Sequence, residues 1–302
     1  MSLTLFIVFI VIPIAILIGF PQLHGVAPFE DPYAPAPQAA VASTYAPSVY
    51  YSNKAVILMY HHFDDHETPD TISLAHFREQ IAALEDKGYN FISLEQLRDF
   101  LDGKQELPPN AVAITFDDGY QSVYKYAYPV LTELNIPASC FLIVKNVGAT
   151  AHQIPKLTWD QIKEMHNHGI TFYSHSYNSH RLVKRPDGTE GSELNSPMYL
   201  PAEKRYENAT EYQNRVYNDL LLSTTILEKN LNTDADFLAL PYGCSNGTIN
   251  RLAREVGIHY ILTVTPGMVD RSSDKLALNR INAGQAGLSG EQLHNLILSF
   301  NK

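Results

Sequence analysis

Along most of the chain, short runs without a polar position alternate with stretches in which apolar residues recur every three or four positions. Ala55 to Tyr60 (AVILMY) is such a run and reads as a strand buried on both faces. Leu74, Phe77, Ile81 and Leu84 follow at helical spacing and line one face of a helix over 74–87. The same alternation predicts further strands at 91–94, 111–116, 138–144, 170–174, 237–241, 260–264 and 276–281. Helices are predicted at 95–101, 120–134, 159–167, 202–231, 248–256 and 290–298, with a polar insertion at 176–200. Pro129 lies inside the helical pattern of 120–134 and disturbs it. Repeated strand–helix units with apolar strands predict an α/β fold, a parallel sheet covered by helices. Their number favours closure into a distorted (β/α) barrel of about seven parallel strands, with an open sheet as the alternative.

The chain start breaks this pattern. Leu3 to Phe20 holds no charged side chain and, as a helix, spans about the hydrocarbon thickness of a bilayer. It reads as a membrane anchor or a long signal segment (residues 1–20), and the absence of Lys or Arg before it favours the anchor. Residues 21–52 carry six prolines among Ala, Ser and Tyr and read as a stiff spacer, which leaves 53–302 for the folded domain. The expected location is the cell membrane, with a single pass and an extracytoplasmic domain, or secretion if the segment is cleaved. A monomer is expected.

Charge narrows the partners. With 32 acidic against 22 basic residues, the formal charge of −10 repels a phosphate backbone, so nucleic acid is not expected as a partner. The two cysteines, Cys140 and Cys244, are too few for a disulfide scaffold or a cysteine metal site, and sequence does not decide whether they pair.

The polar groups that carry chemistry fall just after the predicted strands, on the rim where a parallel barrel keeps its functional groups. His61 and His62 follow the first run, Asp117-Asp118-Gly119 follows 111–116, His175 follows 170–174, and Pro241-Tyr242-Gly243 ends the run 237–241. Adjacent carboxylates facing one dry space require a cation or a shared proton. A turn at Asp117-Asp118-Gly119 lets one carboxylate hold metal while the other faces a water; the plain alternative is a turn whose acids cap the next helix. His175 and His180 add neutral nitrogen donors suited to a zinc-like cation.

Thr115-Phe116-Asp117-Asp118-Gly119-Tyr120 resembles the first motif of the polysaccharide deacetylase family, also known as the NodB-homology or carbohydrate esterase 4 family. Ser174 to His180 is similar to its second motif, Leu240-Pro241-Tyr242-Gly243 to its third, and Met59-Tyr60-His61-His62-Phe63 to the opening of its extracellular branch. The resemblance runs from about Val56 to Ile281. It implies Asp117 as catalytic base and Asp118, His175 and His180 as metal ligands. It also implies an oxyanion contact from the backbone N–H of Tyr242, with Pro241 shaping the turn and Tyr120 at the substrate rim.

Two departures stand out. Ala239 occupies the place, two before Pro241, where the family often carries an arginine to orient the base, and Arg280 in Asn279-Arg280-Ile281 is the candidate replacement. No late Leu-x-His follows Ile281, so His61 or His62 is the candidate general acid, while His294 fits a helical pattern and reads as structural. The resemblance implies a polysaccharide N-deacetylase, an enzyme that uses a divalent metal, zinc first and cobalt, nickel or manganese next, to release acetate from an extracellular or cell-wall N-acetylated polysaccharide. The competing readings are a carbohydrate-binding pseudoenzyme and an esterase or other amidase on the same fold.

Overall fold

Largely apolar strands need cover on both faces, and they form one mostly buried parallel sheet in the computed structural model, which describes residues 48–149 and 154–301. The apolar run 3–20 and the spacer up to residue 47 lie outside the described residues. Among the described residues no helix is long and apolar enough to cross a membrane.

The sheet comprises β1 (Ala55–Tyr60), β2 (Asn90–Phe91), β3 (Ala111–Phe116), β4 (Ala138–Leu142), β5 (Ile170–Ser174), β6 (Phe237–Ala239), β7 (Tyr260–Leu262) and β8 (Ile281–Asn282). Its order is β7-β6-β5-β4-β3-β1-β8, with β2 also beside β3, and every pairing is parallel. β1 pairs along all of β3, from Ala55 opposite Ala111 to Tyr60 opposite Phe116. β3 is also shared by β2 at Ala111–Val112 and by β4 at Ile114–Phe116.

The two ends of this order are joined by the segment before β8. Ile261 N–H donates to Lys275 O, Leu278 N–H to Ile261 O and Thr263 N–H to Leu278 O, at 2.8, 2.8 and 2.9 Å. Three residues later Ile281 and Asn282 pair with Leu58 and Met59 of β1. The sheet is thus a curled half-barrel of parallel strands, within the α/β class expected, whose two edges are bridged by the segment 275–278. The predicted strand 276–281 is interrupted because the chain changes partner, and Arg280 N–H leaves the ladder for Thr265 O at 3.0 Å.

The helices are α1 (Leu74–Asp86), α2 (Leu94–Leu101), α3 (Tyr128–Glu133), α4 (Trp159–Asn167), α5 (Ala209–Leu231), α6 (Gly247–Glu255) and α7 (Gly290–Ser299); α2 packs with Ile57, Ala113 and Phe237 on one face of the sheet, and the others pack with the alternate positions, such as Val56, Leu58 and Leu238, on the opposite face. Their starts follow from capping side chains. Ser93, Thr158, Asn208 and Ser289 accept backbone N–H bonds, and the Gln or Glu three residues on reaches back to the cap N–H.

The same chemistry corrects the sequence reading of α5. It starts at Ala209, not at 202, because Asn208 caps it, while Tyr199–Leu200 and Arg205–Tyr206 form a short antiparallel hairpin. The polar insertion holds a second hairpin, Leu182–Lys184 with Glu190–Ser192. The helical pattern 120–134 divides into a π-helical turn, Val123–Ala127, and α3, with Pro129 in the first turn of α3 where its missing N–H costs least.

The folded unit also begins earlier than residue 53. Tyr51 is buried and its hydroxyl donates to Ala111 O at 2.9 Å. Asn110 Oδ1 accepts from the N–H groups of Tyr50 and Tyr51, and its amide donates to Ser48 O. Cys140 is buried, Cys244 is partly exposed, and both are free thiols.

Candidate active site

The site begins where β3 ends. Asp118 (φ 70°) and Gly119 (φ 67°) are both left-handed, a conformation Asp tolerates and Gly adopts freely. A Cβ on Gly119 would lie 2.8 Å from Leu142 Cδ2, so any larger residue would also have to displace the end of that side chain. This sharp turn separates the two neighbouring carboxylates.

Asp117 is 2% exposed and pairs with Arg280, itself fully buried. Arg280 Nη1 and Nη2 donate to Asp117 Oδ1 and Oδ2 at 2.8 and 2.7 Å, and Nε donates to Thr263 O at 2.8 Å. Burial alone would raise the Asp117 pKa, but the Arg280 guanidinium, with His175 and His61 nearby, holds it below the usual carboxylate value. The arginine missing before Pro241 is thus matched by one delivered from the segment that joins β7 to β1.

Asp118 meets the two histidines. Its Oδ1 lies 3.4 Å from His175 Nε2 and 3.2 Å from His180 Nε2, and the three groups' ligand atoms fall within 4.8 Å of one another. His175 Nδ1 sits 2.8 Å from Ala239 O, which fixes the proton on Nδ1 and leaves the Nε2 lone pair facing Asp118. Asp118 Oδ1 is buried and, among the described residues, accepts no well-formed hydrogen bond. An orphaned carboxylate oxygen between two imidazole nitrogens fits a divalent cation.

The electrostatics agree. Burial, joined by His175, lowers the His180 pKa to about 4, so its ring is neutral at neutral pH. Burial also opposes charge on His175, yet Asp117 and Asp118 raise its pKa, and a cation would compete with that proton. Burial would likewise raise Asp118, but the two histidines hold it far below the carboxylate range.

The five-residue spacing of His175 and His180 has a structural cause. Ser176 is left-handed (φ 72°), and Asp219 on α5 accepts from Tyr177 N–H, Asn178 N–H and Ser179 Oγ, each at 2.9 Å. The chain folds back so that the two imidazole rings lie 4.8 Å apart.

A cavity of about 450 Å³ opens over these groups, lined among others by His61, Asp117, Asp118, His175, Tyr120 and Tyr242. His61 Nε2 is 3.9 Å from Asp117 Oδ2, and His61 Nδ1 is buried without a hydrogen-bond partner among the described residues. His62 is not in this lining; its ring meets Tyr120 edge-on at 5.1 Å, and burial lowers its pKa. Pro241 is buried beneath the rim, whereas Tyr242 is left-handed (φ 60°) with its ring 4.9 Å from His180. His294 stands apart from the site, its Nδ1 2.9 Å from the Tyr89 hydroxyl.

Two residues at the site carry no signal in the sequence. Asp219 occupies a polar position inside a long helix, and Lys156 lies in a loop; only the folded chain brings them to the centre. Lys156 Nζ rests 3.4 Å from the Tyr120 ring centroid, and burial lowers its pKa to about 8 although Asp118 opposes the shift.

The family model described as polysaccharide deacetylase matches residues 104–261. A poly-beta-1,6-N-acetyl-D-glucosamine N-deacetylase of Escherichia coli is 28% identical over 238 residues, which cover 73% of this chain but only 35% of that protein. The deacetylase domain of a Bordetella bronchiseptica protein superposes with a TM-score of 0.67 at 30% identity, covering 76% of this chain and 95% of that one. A de-N-acetylase from Aggregatibacter actinomycetemcomitans gives a TM-score of 0.71 at 26% identity, covering 81% and 100%.

Proposed function

The chain belongs to the polysaccharide deacetylase family, and from this we propose that it hydrolyses the acetamide of N-acetylhexosamine units in a polysaccharide to acetate and a free amine. The observation that carries the reading is the Arg280–Asp117 pair set beside the Asp118, His175 and His180 cluster. The names of the relatives favour an N-acetylglucosamine polymer as substrate.

Asp118, His175 and His180 would hold the metal, zinc by the nitrogen and oxygen donor set, with cobalt, nickel or manganese compatible. When bound, it supplies Lewis acidity toward the acetyl oxygen and acidifies water. Asp117, kept ionised by Arg280, takes the proton of the attacking water; each of its oxygens retains a lone pair beside the Arg280 contact. The Tyr242 backbone N–H is assigned to the oxyanion. As the C–N bond breaks, the amine nitrogen needs a proton, and His61, in the cavity beside Asp117, is the donor we assign. His62 has a packing role against Tyr120 in this scheme.

We further place the domain outside the cytoplasm, supported by the charge-free run 3–20. Fractionation of cells expressing the full chain, with protease added from outside, tests that placement; a domain protected in intact, wall-stripped cells would refute it.

Acetate released from acetylated glucosamine oligomers, xylan and peptidoglycan, with and without chelator, tests the activity. Metal-dependent release is expected from the first, with Asp117→Asn inactive and His61→Gln slowed by about 100-fold, in the range of a lost proton donor. Release unaffected by Asp117→Asn would refute the mechanism, and no release from any substrate would favour a binding protein.

A further inference from the structure

The chamber holding Asp117 and His61 is one of two that open around the ligand cluster. A second cavity, also about 450 Å³, shares Asp118, Tyr120 and His180 with it and is bounded by Asn146 and Lys156. Its volume is in the range of small-ligand sites. Lys156 is only 9% exposed and its ammonium lies against the Tyr120 ring; among the described residues no carboxylate reaches it at ion-pair distance, and the acid that acts on it electrostatically is Asp118. The one acid lining this chamber is Asp118, already committed to the two histidines. A mostly buried ammonium in the wall of an open chamber disfavours a second cation beside it. The first chamber differs, because its mouth carries the exposed carboxylate of Asp70. Outside the ligand cluster and the Asp117–His61 pair, the charged side chain is therefore an ammonium on one side of the centre and a carboxylate on the other.

Removal of an N-acetyl group converts a neutral sugar into a cation, so under the deacetylase reading each turnover changes the charge of the substrate polymer. We propose that Lys156 makes the second chamber a subsite for a neutral, still acetylated neighbouring sugar and rejects a glucosaminium there, whereas the Asp70 side accepts one. The specificity is directional. A target sugar with a deacetylated neighbour on one flank is the better substrate, and the same sugar with that neighbour on the other flank the poorer one. Along a polymer this spaces the free amines and orders the sites in which they appear. The inference depends on the deacetylase reading for its substrate, but not for its binding geometry.

Three tetramers of N-acetylglucosamine decide the matter: fully acetylated, and with one glucosamine on either side of a chosen target. Acetate release is measured for the wild type, Lys156→Met, Lys156→Arg and Lys156→Glu, each checked for an unchanged melting curve. Affinity for the same tetramers is measured by calorimetry on Asp117→Asn protein, with and without Lys156→Met. For the wild type, one mixed tetramer should bind and react at least about tenfold worse than its isomer, the effect of a nearby like charge in a partly buried site. Lys156→Met should narrow that gap to about twofold, Lys156→Arg should keep it, and Lys156→Glu should reverse it. Equal handling of the two isomers by the wild type overturns the proposal, as does a gap that persists in well-folded Lys156→Met. Failure to release acetate from the fully acetylated tetramer would remove the deacetylase reading instead, and the binding comparison would then decide the subsite alone.

Discussion

At the scale of single residues, the proposed chemistry rests on a carboxylate held ionised in a place where burial opposes charge. Asp117 tolerates that place because both its oxygens meet the Arg280 guanidinium. Arg280→Met should leave a buried carboxylate without a partner, costing about 3–5 kcal/mol, and lower turnover by at least about 100-fold. Arg280→Lys should recover part of the stability but little of the turnover, since one ammonium does not reproduce two parallel bonds. Thermal melts and steady-state rates on the two variants check both statements. The Asp117-Asp118-Gly119 turn was legible from the sequence because two acids and a glycine after an apolar strand admit few arrangements. Lys156 and Asp219 were not, since a lysine in a loop and an aspartate in a helix are ordinary until tertiary contacts give them neighbours.

At the scale of elements, loops are pinned to the helices behind them by single carboxylates. Asp219 on α5 gathers three donors from the turn between His175 and His180. Asp219→Ala should release that turn and weaken zinc affinity about 10- to 100-fold, as measured by competition with a chelating dye, while α5 remains helical by circular dichroism. Glu67 does similar work after β1, accepting from Ser73 N–H at 2.7 Å and Gly287 N–H at 2.9 Å and meeting His76 Nδ1 at 2.7 Å. Burial would raise its pKa, but these bonds bring it down to about 2. Its stabilisation is therefore complete above about pH 4.5 and lost as the pH falls toward 2. Glu67→Gln should cost about 2 kcal/mol near neutral pH, and the difference from wild type in denaturant titrations should close across that acidic window. The strand and helix periods gave most elements, and misses came where capping or partner exchange decided the boundary. Asn208 moved the start of α5 past a hairpin, and the switch from β7 to β1 broke the last strand at Asn279 and Arg280.

At the scale of the whole molecule, the alternation of apolar strands and helices was enough for a parallel α/β fold, but not for where the folded unit begins. Prolines in 21–52 masked the fact that Tyr50 and Tyr51 are tied to Asn110 and Ala111. A chain starting at Ser48 keeps these contacts. One starting at Asn53 should lose about 3–5 kcal/mol in chemical unfolding, from the buried Tyr51 ring and the abandoned Asn110 side chain. The join between β7 and β1 has a consequence of a different kind. The stretch that bridges the two edges of the sheet also carries the cation that, in the proposed mechanism, keeps the base ionised, so the two would be completed together. Under the proposed mechanism, a chain whose residues 275–282 have not yet docked would lack the guanidinium beside Asp117 and stay inert. Hydrolysis would then begin only on arrival at the finished shape.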